Sequence, residues 1–231
     1  MEPKIIYEDN HVIVVIKPHN VAVQEDESKD EDMLTIIKNF IKKRDNKQGN
    51  VFLGLVHRLD RPTGGVMVFA KTSKAASRLS KQLKEKNLKK KYLCVVCGKP
   101  QLAKNRLTTY LKKDERTNTV RIAPKLEEGS KEAILEYEVV ETKDKYSLIS
   151  VDLITGRSHQ IRVQMANQLN VPIYADFKYG DKTNKGNLCL WAYELTFVHP
   201  TTKQMMRFTV APETVNSAFK FFEKTIENLT K

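Results

Sequence analysis

Apolar residues in this chain form short β-rich runs separated by turns, or recur at helical spacing over longer stretches. The short runs predict strands at Ile5–Glu8 and Val12–Lys17, because short apolar runs bounded by turns are typical of strands. Helical spacing predicts a helix that begins at about Asp32, with this aspartate as its N-cap. A second helix, capped by Thr72 or Ser73, is expected to end at about residue 87.

Between these two helices the pattern predicts a hairpin. Strands near Leu53–Leu59 and Val66–Ala70 are separated by a short connection that contains the turn signal Thr63-Gly64-Gly65. A connection of this length brings two strands together. Asp60 is therefore expected near the tip of the hairpin.

The rest of the chain predicts strands separated by polar turns, and two further helices. One helix is expected from about Arg157 to a point before Pro172, since proline disfavours helix in the residue that precedes it. The last helix is expected to open at Pro212 and to bury Phe219, Phe222, Ile226 and Leu229. The predicted strands are Lys91–Val96, Arg106–Leu111, Thr119–Ala123, Ala133–Glu141, Lys145–Ile154, Leu188–His199 and Met205–Val210. Together these elements predict one α+β domain over residues 1–231, built on a mixed, mostly antiparallel sheet with flanking helices.

The composition favours a soluble globular protein. Hydrophobic residues make up 40% of the 231 positions, which is enough to close a core. No stretch approaches the roughly 20 apolar residues of a membrane span, and the first residues lack the pattern of a signal peptide. Three cysteines, Cys94, Cys97 and Cys189, are too few for a disulfide framework and favour a reducing compartment. A cytoplasmic protein without membrane contact is expected.

Basic residues outnumber acidic ones by 12, and the surplus is unevenly distributed. The segment Lys71–Lys91 contains nine basic residues and one acid, Glu85. A run of like charges can serve solubility alone, as we infer for the acidic block Glu25–Asp32. The concentration of the basic residues on one helix and strand instead favours contact with the phosphate groups of a nucleic acid.

Two clusters of polar residues have the side chains that catalysis would need. The first places the carboxylate of Asp60 between Arg58 and Arg61, directly before a turn rich in proline and glycine. The second places His159 and Arg162 three positions apart, and so on one face of the predicted helix. Both clusters have a structural alternative, because an aspartate can stabilise its own turn and surface ion pairs contribute little. If the basic groups faced Asp60, they would keep its carboxylate ionised.

The two clusters resemble the motifs of one enzyme family. The stretch HRLDRPTGGVMVFAKT at His57–Thr72 resembles the catalytic motif of the RluA-type pseudouridine synthases, and TGRSHQIRVQMA at Thr155–Ala166 resembles their third motif. Asn20 stands where the family usually has glycine, Gly64 where it has serine or threonine, and Gln164 where histidine is common. The resemblance extends in order along nearly the whole chain, through Lys17–Gln24, Lys91-Tyr92, Tyr174–Gly180 and Leu190–Pro200.

The resemblance implies a pseudouridine synthase fold with a central RNA-binding cleft, and an isomerase that converts specific uridines of structured rRNA or tRNA to pseudouridine. By the match, Asp60 is the nucleophile, Arg162 is its ion partner, and Tyr92 stacks on the extruded uracil and takes the proton from C5. Arg58 would occupy the space that the flipped base leaves. The residues assigned to RNA binding are His57, Arg58, Arg61, Thr63, Lys71, Lys81, Lys84, Arg157, His159 and Gln160.

The implied reaction involves no redox change, so neither a cofactor nor a metal is expected. The family includes members with an additional N-terminal RNA-binding domain of the S4 type, and motif-like residues as early as Lys17 leave no room for one in this sequence. The protein is therefore expected to act as a monomer that selects its RNA through the catalytic domain.

Rival functions fit the sequence less well. Glycoside hydrolysis normally needs two carboxylates, and no second acid accompanies Asp60 in either motif. The only sequence support for a metal centre is the pair Cys94-Val-Val-Cys97, and the sequence has no second pair at zinc spacing. These cysteines are therefore interpreted as core thiols. The serious alternative is a non-catalytic RNA-binding protein on the same fold. The presence of Asp60, Tyr92 and Arg162 together favours catalysis.

Overall fold

The computed structural model describes residues 1–180, 182–183, 185–215 and 217–231. The strands are β1 (Lys4–Glu8), β2 (Val12–Lys17), β3 (Gly54–Leu55), β4 (Gly64–Ala70), β5 (Lys89–Cys97), β6 (Lys104–Asp114), β7 (Thr119–Ala123), β8 (Lys131–Lys143), β9 (Tyr146–Leu153), β10 (Leu190–Val198) and β11 (Met205–Thr209). The α-helices are α1 (Met33–Arg44), α2 (Ser73–Lys84), α3 (Gln160–Val163) and α4 (Glu223–Thr230). Helix α3 continues as a π-helical turn over Gln164–Gln168, and a 3₁₀ turn over Ala218–Phe222 precedes α4.

The chain divides into two compact units. The first contains residues 1–89 and 194–210, and the second contains residues 90–193 and 211–231, so β10 contributes to both. Every strand pair whose register is described is antiparallel. This arrangement confirms the predicted α+β class. The prediction of one domain over residues 1–231 stays a prediction.

In the first unit, β2 lies between β1 and β4. The register of β2 and β4 places Val12 opposite Ala70 and Lys17 opposite Gly65. Strand β3 pairs with the far end of β4, and the second half of β10 pairs with β11. The core of this unit includes the inner side of α2 and contains Val12, Val14, Val66, Val68, Leu79, Leu195 and Phe197.

In the second unit the strands follow in the order β5, β9, β8, β6 and β7. Tyr92 of β5 lies opposite Val151 of β9, which in turn lies opposite Tyr137 of β8. An irregularity between Val139 and Glu141 interrupts the pairing of β8 with β9. The antiparallel strands predicted for the middle of the chain are thus confirmed: β6 and β8 are longer than expected, β7 has the expected bounds, and β9 is slightly shorter.

Both predicted helix N-caps are confirmed. The Asp32 carboxylate accepts the Thr35 N–H at 3.2 Å, and the Thr72 hydroxyl accepts the Ala75 N–H at 3.1 Å. Each cap satisfies one of the N–H groups that the first turn of a helix leaves without a backbone partner. Helix α2 ends earlier than predicted, and Lys86 beyond it has φ 61°, the left-handed conformation that follows many helix ends.

The predicted hairpin around Asp60 is confirmed as an antiparallel strand pair, but its first strand is shorter and its turn lies earlier than predicted. Only Gly54–Leu55 of the expected first strand pairs with β4, and Gly64 already belongs to β4 rather than to a turn. Continued pairing would place Val56 opposite Val68. Instead, the Val68 N–H donates to the His57 ring at 3.3 Å. A side chain therefore takes a donor that a longer β3 would use, and the turn forms at Asp60, whose carbonyl accepts the Thr63 N–H at 2.9 Å.

The helix of the third motif begins later than predicted, at Gln160 instead of about Arg157. The Gln160 side-chain oxygen accepts hydrogen bonds from the Thr155 hydroxyl at 2.8 Å and the Arg157 N–H at 3.1 Å, and so closes a turn before the helix. His159 ends this turn with φ 51°. The expectation that His159 and Arg162 share a helix face is therefore wrong, because His159 precedes the helix.

The last helix also begins later than predicted. Ser217 caps the 3₁₀ turn by accepting the Phe219 N–H at 3.3 Å, so the helical segment opens six residues after Pro212, at Ala218. Phe222 is buried as expected, whereas Leu229 is 37% exposed and does not belong to the core. In the part of the chain that the structure describes, no helix is both long enough and apolar enough to cross a membrane.

The cysteines lie inside the fold. Cys94 and Cys189 are buried, Cys97 is half-buried, and none of the three forms a disulfide. Burial, with a smaller contribution from Cys189, raises the pKa of the Cys94 thiol. A raised pKa disfavours the reactive thiolate, so the interpretation of Cys94 as a core thiol is confirmed.

Candidate active site

Asp60 lies in the irregular segment between β3 and β4 of the first unit. Its side chain is half-buried, and its backbone is fixed by the turn to Thr63. Thr63 is itself buried at the start of β4. The carboxylate predicted to act as nucleophile therefore sits on a turn whose end is anchored in the sheet.

Lys17, at the end of β2, holds this turn through a hydrogen bond. Its side chain is 0% exposed, and its ammonium donates to the carbonyls of Pro18 and Arg61, each at 2.9 Å. Burial lowers the pKa of Lys17 to about 7, while the negative charge of Asp60 acts in the opposite direction. Lys17 thus places a cationic group near Asp60 and holds the backbone next to it. Sequence reasoning noted Lys17 only as part of a matching segment and assigned it no role.

The residues that flank Asp60 differ in their surroundings. His57 is buried and accepts the Val68 N–H, a structural contact that fixes the segment before Asp60. Arg58 is exposed, and within the described part of the chain its guanidinium has no hydrogen bond or ion pair. Arg58 is therefore available to a bound RNA without losing a contact inside the protein.

Arg61 instead forms ion pairs with the acidic segment that was interpreted as a solvated loop. Its guanidinium donates to Asp26 at 3.2 Å, to Ser28 at 2.6 Å and to Asp30. These contacts link the segment after β2 to the turn that carries Asp60. A phosphate that binds Arg61 must compete with these carboxylates, so the predicted RNA contact of Arg61 stays a prediction.

In the basic segment Lys71–Lys91, some side chains form hydrogen bonds within the protein and others are exposed. Lys71 donates to Glu8 at 2.5 Å and to the Asp9 carbonyl at 2.6 Å, and Arg78 donates to the Pro200 carbonyl at 2.8 Å. We name as the α2 basic surface three exposed lysines that helical geometry places on one side of the helix, namely Lys74, Lys81 and Lys84.

In the second unit, Arg162 of α3 forms a buried ion pair that the sequence did not indicate. Its guanidinium donates two hydrogen bonds to the Asp176 carboxylate, at 2.9 and 2.7 Å. The two side chains are only 7% and 0% exposed. Asp176 also accepts the N–H groups of Lys178 and Tyr179, each at 3.2 Å. This paired geometry fixes the plane of the Arg162 guanidinium.

The segment after Asp176 links this ion pair to the third motif. The Arg162 guanidinium lies 5.1 Å from the centre of the Tyr179 ring. The Tyr179 hydroxyl lies 2.6 Å from His159 Nδ1 and accepts the Val120 N–H at 2.8 Å. Ala175, directly before Asp176, has φ 59°, a left-handed conformation that costs a non-glycine residue energy. The only sequence signal for these contacts was the matching segment Tyr174–Gly180.

The other predicted groups of this unit lie on β5 and on the turn before α3. Tyr92 is buried on β5. Arg157 is exposed and donates its Nε–H to the Glu132 carbonyl at 2.8 Å. Gln160 is buried and closes the turn from Thr155, so it shapes the turn rather than projecting from it.

Two departures from the family pattern have a physical explanation. Asn20 has φ 64°, a conformation that glycine adopts freely and that asparagine tolerates better than most residues. Gln164 is buried in the π-helical turn, where its amide donates to Gln168 at 3.3 Å. Gly64 lies buried in β4 after the Asp60 turn and does not belong to that turn.

The fold is α+β, the Asp60 turn belongs to the first unit, and the ion-paired Arg162 belongs to the second. A family model described as RNA pseudouridylate synthase matches residues 11–167. The chain belongs to this family, which confirms the enzyme class and the fold class predicted from the motifs.

Named relatives and solved structures agree with the family. The chain is 35% identical to "Ribosomal large subunit pseudouridine synthase C" of Buchnera aphidicola subsp. Baizongia pistaciae (strain Bp), over 97% of this chain and 70% of the relative. It is 33% identical to the protein of the same name from Pasteurella multocida (strain Pm70), over 90% of this chain and 64% of the relative. The chain thus spans about two thirds of the length of these relatives.

A solved structure titled "Human RNA Pseudouridylate Synthase Domain Containing 4" has the same fold. It superposes with a TM-score of 0.78 at 20% identity, over 98% of this chain and 92% of that chain. At this identity the match supports the fold alone. The roles assigned to Asp60, Tyr92 and Arg162 stay predictions.

Proposed function

We propose that this protein isomerises uridines of large-subunit ribosomal RNA to pseudouridine, with Asp60 as the nucleophile. The observation that carries the proposal is the Asp60 turn, held by the buried Lys17 in a chain of the pseudouridylate synthase family. The names of the relatives support ribosomal RNA over transfer RNA as the substrate class.

Each predicted group has a task in the proposed reaction. The bond between uracil N1 and ribose C1′ breaks, the base rotates, and a bond forms between C5 and C1′ as the C5 proton leaves and N1 gains a proton. Asp60 supplies the carboxylate that makes the cleavage feasible. Tyr92 stacks on the extruded uracil and receives the C5 proton, and Arg58 fills the space left in the RNA. Arg162 as the ion partner of Asp60 remains part of this proposal.

The proposal also keeps the expected organisation of the protein. One catalytic domain over residues 1–231 acts as a monomer in the cytoplasm, where ribosomal RNA is available for modification. Light scattering of the purified protein, with and without RNA, measures its oligomeric state directly.

A map of pseudouridines in total RNA from cells with and without this gene tests the proposed substrate. We expect the loss of one or more sites in large-subunit ribosomal RNA, and formation of the same sites by purified protein on that RNA. Sites lost only from transfer RNA would move the substrate to that class. An unchanged map, together with RNA binding but no activity in vitro, would favour the non-catalytic alternative.

Replacement of Lys74, Lys81 and Lys84 by alanine is expected to weaken binding to any RNA. Each lost phosphate contact should flatten the dependence of log affinity on log salt concentration by about 0.7–0.9. All three residues lie within α2, where alanine fits the backbone, whereas Lys86 has a left-handed conformation that alanine adopts poorly. Fluorescence anisotropy over a range of salt concentrations measures the slope.

The matched control removes the same charge from a different helix segment. Lys42, Lys43 and Lys47 are exposed at and beyond the end of α1, which carries no predicted RNA contact. Alanine at these three positions should leave the slope nearly unchanged. An equal effect of both triple variants would attribute the binding to net charge and return the α2 basic surface to a role in solubility.

Tyr92 allows the proposed proton transfer to be separated from base stacking. Tyr92→Phe retains the ring and should bind RNA normally, but it should stall before the C5 proton is released. Tyr92→Ala should additionally lose base stacking, worth about 1–3 kcal/mol. Tritium release from C5-labelled uridine in a matched RNA distinguishes the two defects. Normal release by Tyr92→Phe would show that the hydroxyl is not needed.

A further inference from the structure

Lys90 is a buried lysine on the same strand as Tyr92 that the proposed mechanism does not use. The residues lie two positions apart on β5, so both side chains project from the same face of the sheet, about 7 Å apart along the strand. Both are buried, at 8% and 4% exposure respectively. Lys90 therefore lies beside the residue proposed to stack on the target uracil.

The ammonium of Lys90 has no counterpart among the residues that the structure describes. Within the described part of the chain, it forms no hydrogen bond or ion pair. The other deeply buried lysine, Lys17, donates to two carbonyls. Burial alone lowers the pKa of Lys90 to about 8, which expresses the cost of placing this charge away from water. An unpaired cation at such a position is destabilising unless a ligand compensates it.

Gly156 lies next to the ammonium of Lys90. A Cβ atom at this position would lie 3.3 Å from Lys90 Nζ. The backbone of Gly156 does not have a left-handed conformation, so local geometry does not require glycine here. The residue is exposed, and the exposed Arg157 follows it. The ammonium thus lies against an exposed turn at a position where any side chain would crowd it.

We propose that Lys90 binds a backbone phosphate of the nucleotide whose base stacks on Tyr92, and that Gly156 keeps the approach open. This inference rests on the proposed function, because it uses the placement of uracil against Tyr92. In a nucleotide, the ribose lies between the base and the phosphate. The resulting separation matches the spacing of two side chains that lie two positions apart on one face of a strand. A phosphate carries a permanent negative charge and offers oxygens to the three donors of an ammonium. The phosphate supplies the partner that the described residues do not provide.

Three variants separate this role from a structural one. Lys90→Met keeps an unbranched chain and removes the buried charge, so its melting temperature should be equal to or higher than that of the wild type. Its RNA affinity should fall by about 10- to 100-fold, as for loss of a charged hydrogen bond. The salt slope should flatten by about 0.7–0.9. Gly156→Ala, at an exposed position, should weaken binding to a smaller degree without loss of folding.

The charge control is Lys99→Met, which removes one exposed lysine just beyond β5 and should leave the slope unchanged. Binding is measured by anisotropy with a target RNA, and turnover by pseudouridine formation at saturating RNA. An unchanged affinity and slope in Lys90→Met, with lowered turnover, would overturn the proposal by showing that the ammonium acts on the detached base. Unchanged affinity, slope and turnover would also overturn it.

Failure of the proposed function gives a different result. Wild-type protein would then form no pseudouridine in any RNA tested. Weakened binding and a flattened slope in Lys90→Met, but not in Lys99→Met, would still support an anion contact at Lys90. If Lys90→Met does not fold, Gly156→Ala provides the decisive comparison, and normal affinity in that variant would refute the proposed approach.

Discussion

Replacement of Asp60 by asparagine is expected to abolish pseudouridine formation, with a fall of at least about 10³-fold in the single-turnover rate. Asparagine keeps the shape of the side chain but removes the negative charge and the nucleophilic oxygen. Two contacts that hold the turn, from Thr63 N–H to the Asp60 carbonyl and from Lys17 to the Arg61 carbonyl, do not use the carboxylate. The turn should therefore persist, and RNA affinity should change little because phosphate contacts dominate it.

Tritium release from C5-labelled RNA and mass spectrometry of the product measure this effect. Asp30→Asn is the matched control, because it removes one carboxylate from an exposed ion pair with Arg61 and should leave turnover close to normal. Near-normal turnover by an Asp60→Asn preparation shown by peptide mass spectrometry to be free of deamidation would refute the nucleophile assignment.

Local sequence signals predicted most of the fold correctly. The short apolar run Val12–Lys17 gives β2 with the expected bounds, and the caps at Asp32 and Thr72 form because each side chain satisfies an N–H of its own first turn. These interactions join residues that are close in sequence, so a pattern of neighbouring residues contains the information needed to predict them.

Two of the errors occur where a side chain replaces a regular backbone partner. His57 accepts the Val68 N–H and ends β3 early, and Gln160 closes a turn where helix was expected. β-propensity and helical spacing describe the backbone preference of a segment, but they do not register a buried polar side chain that competes for the same donors. The motif around Asp60 was recognisable, whereas its exact backbone path was not.

The supports of the site depend on contacts between distant parts of the sequence. Lys17 reaches a carbonyl 44 positions further along the chain, and Asp176 pairs with Arg162 across 14 positions. No single segment shows these contacts. The matching segments that contain Lys17 and Asp176 were visible in the sequence, but the roles of these residues appear only when the fold brings their partners together.

Arg162→Ala is expected to damage both stability and activity, for separate reasons. Loss of the guanidinium leaves Asp176 as a buried carboxylate without its counter-charge, which should lower the free energy of unfolding by about 3–5 kcal/mol. Arg162→Lys retains the charge but loses the planar pair of hydrogen bonds to Asp176, so an intermediate loss of stability and partial activity are expected. Urea unfolding and single-turnover assays measure the two effects independently.

The double variant Arg162→Ala/Asp176→Ala distinguishes a structural role from the proposed role beside Asp60. Removal of both partners eliminates the unpaired buried charge, so much of the lost stability should return, in the non-additive manner expected for residues in direct contact. Activity should stay low, because no cation at position 162 remains to hold the Asp60 carboxylate. If turnover returned together with stability, Arg162 would serve only to neutralise Asp176, and the exposed Arg157 would become the next candidate for the ion partner of Asp60.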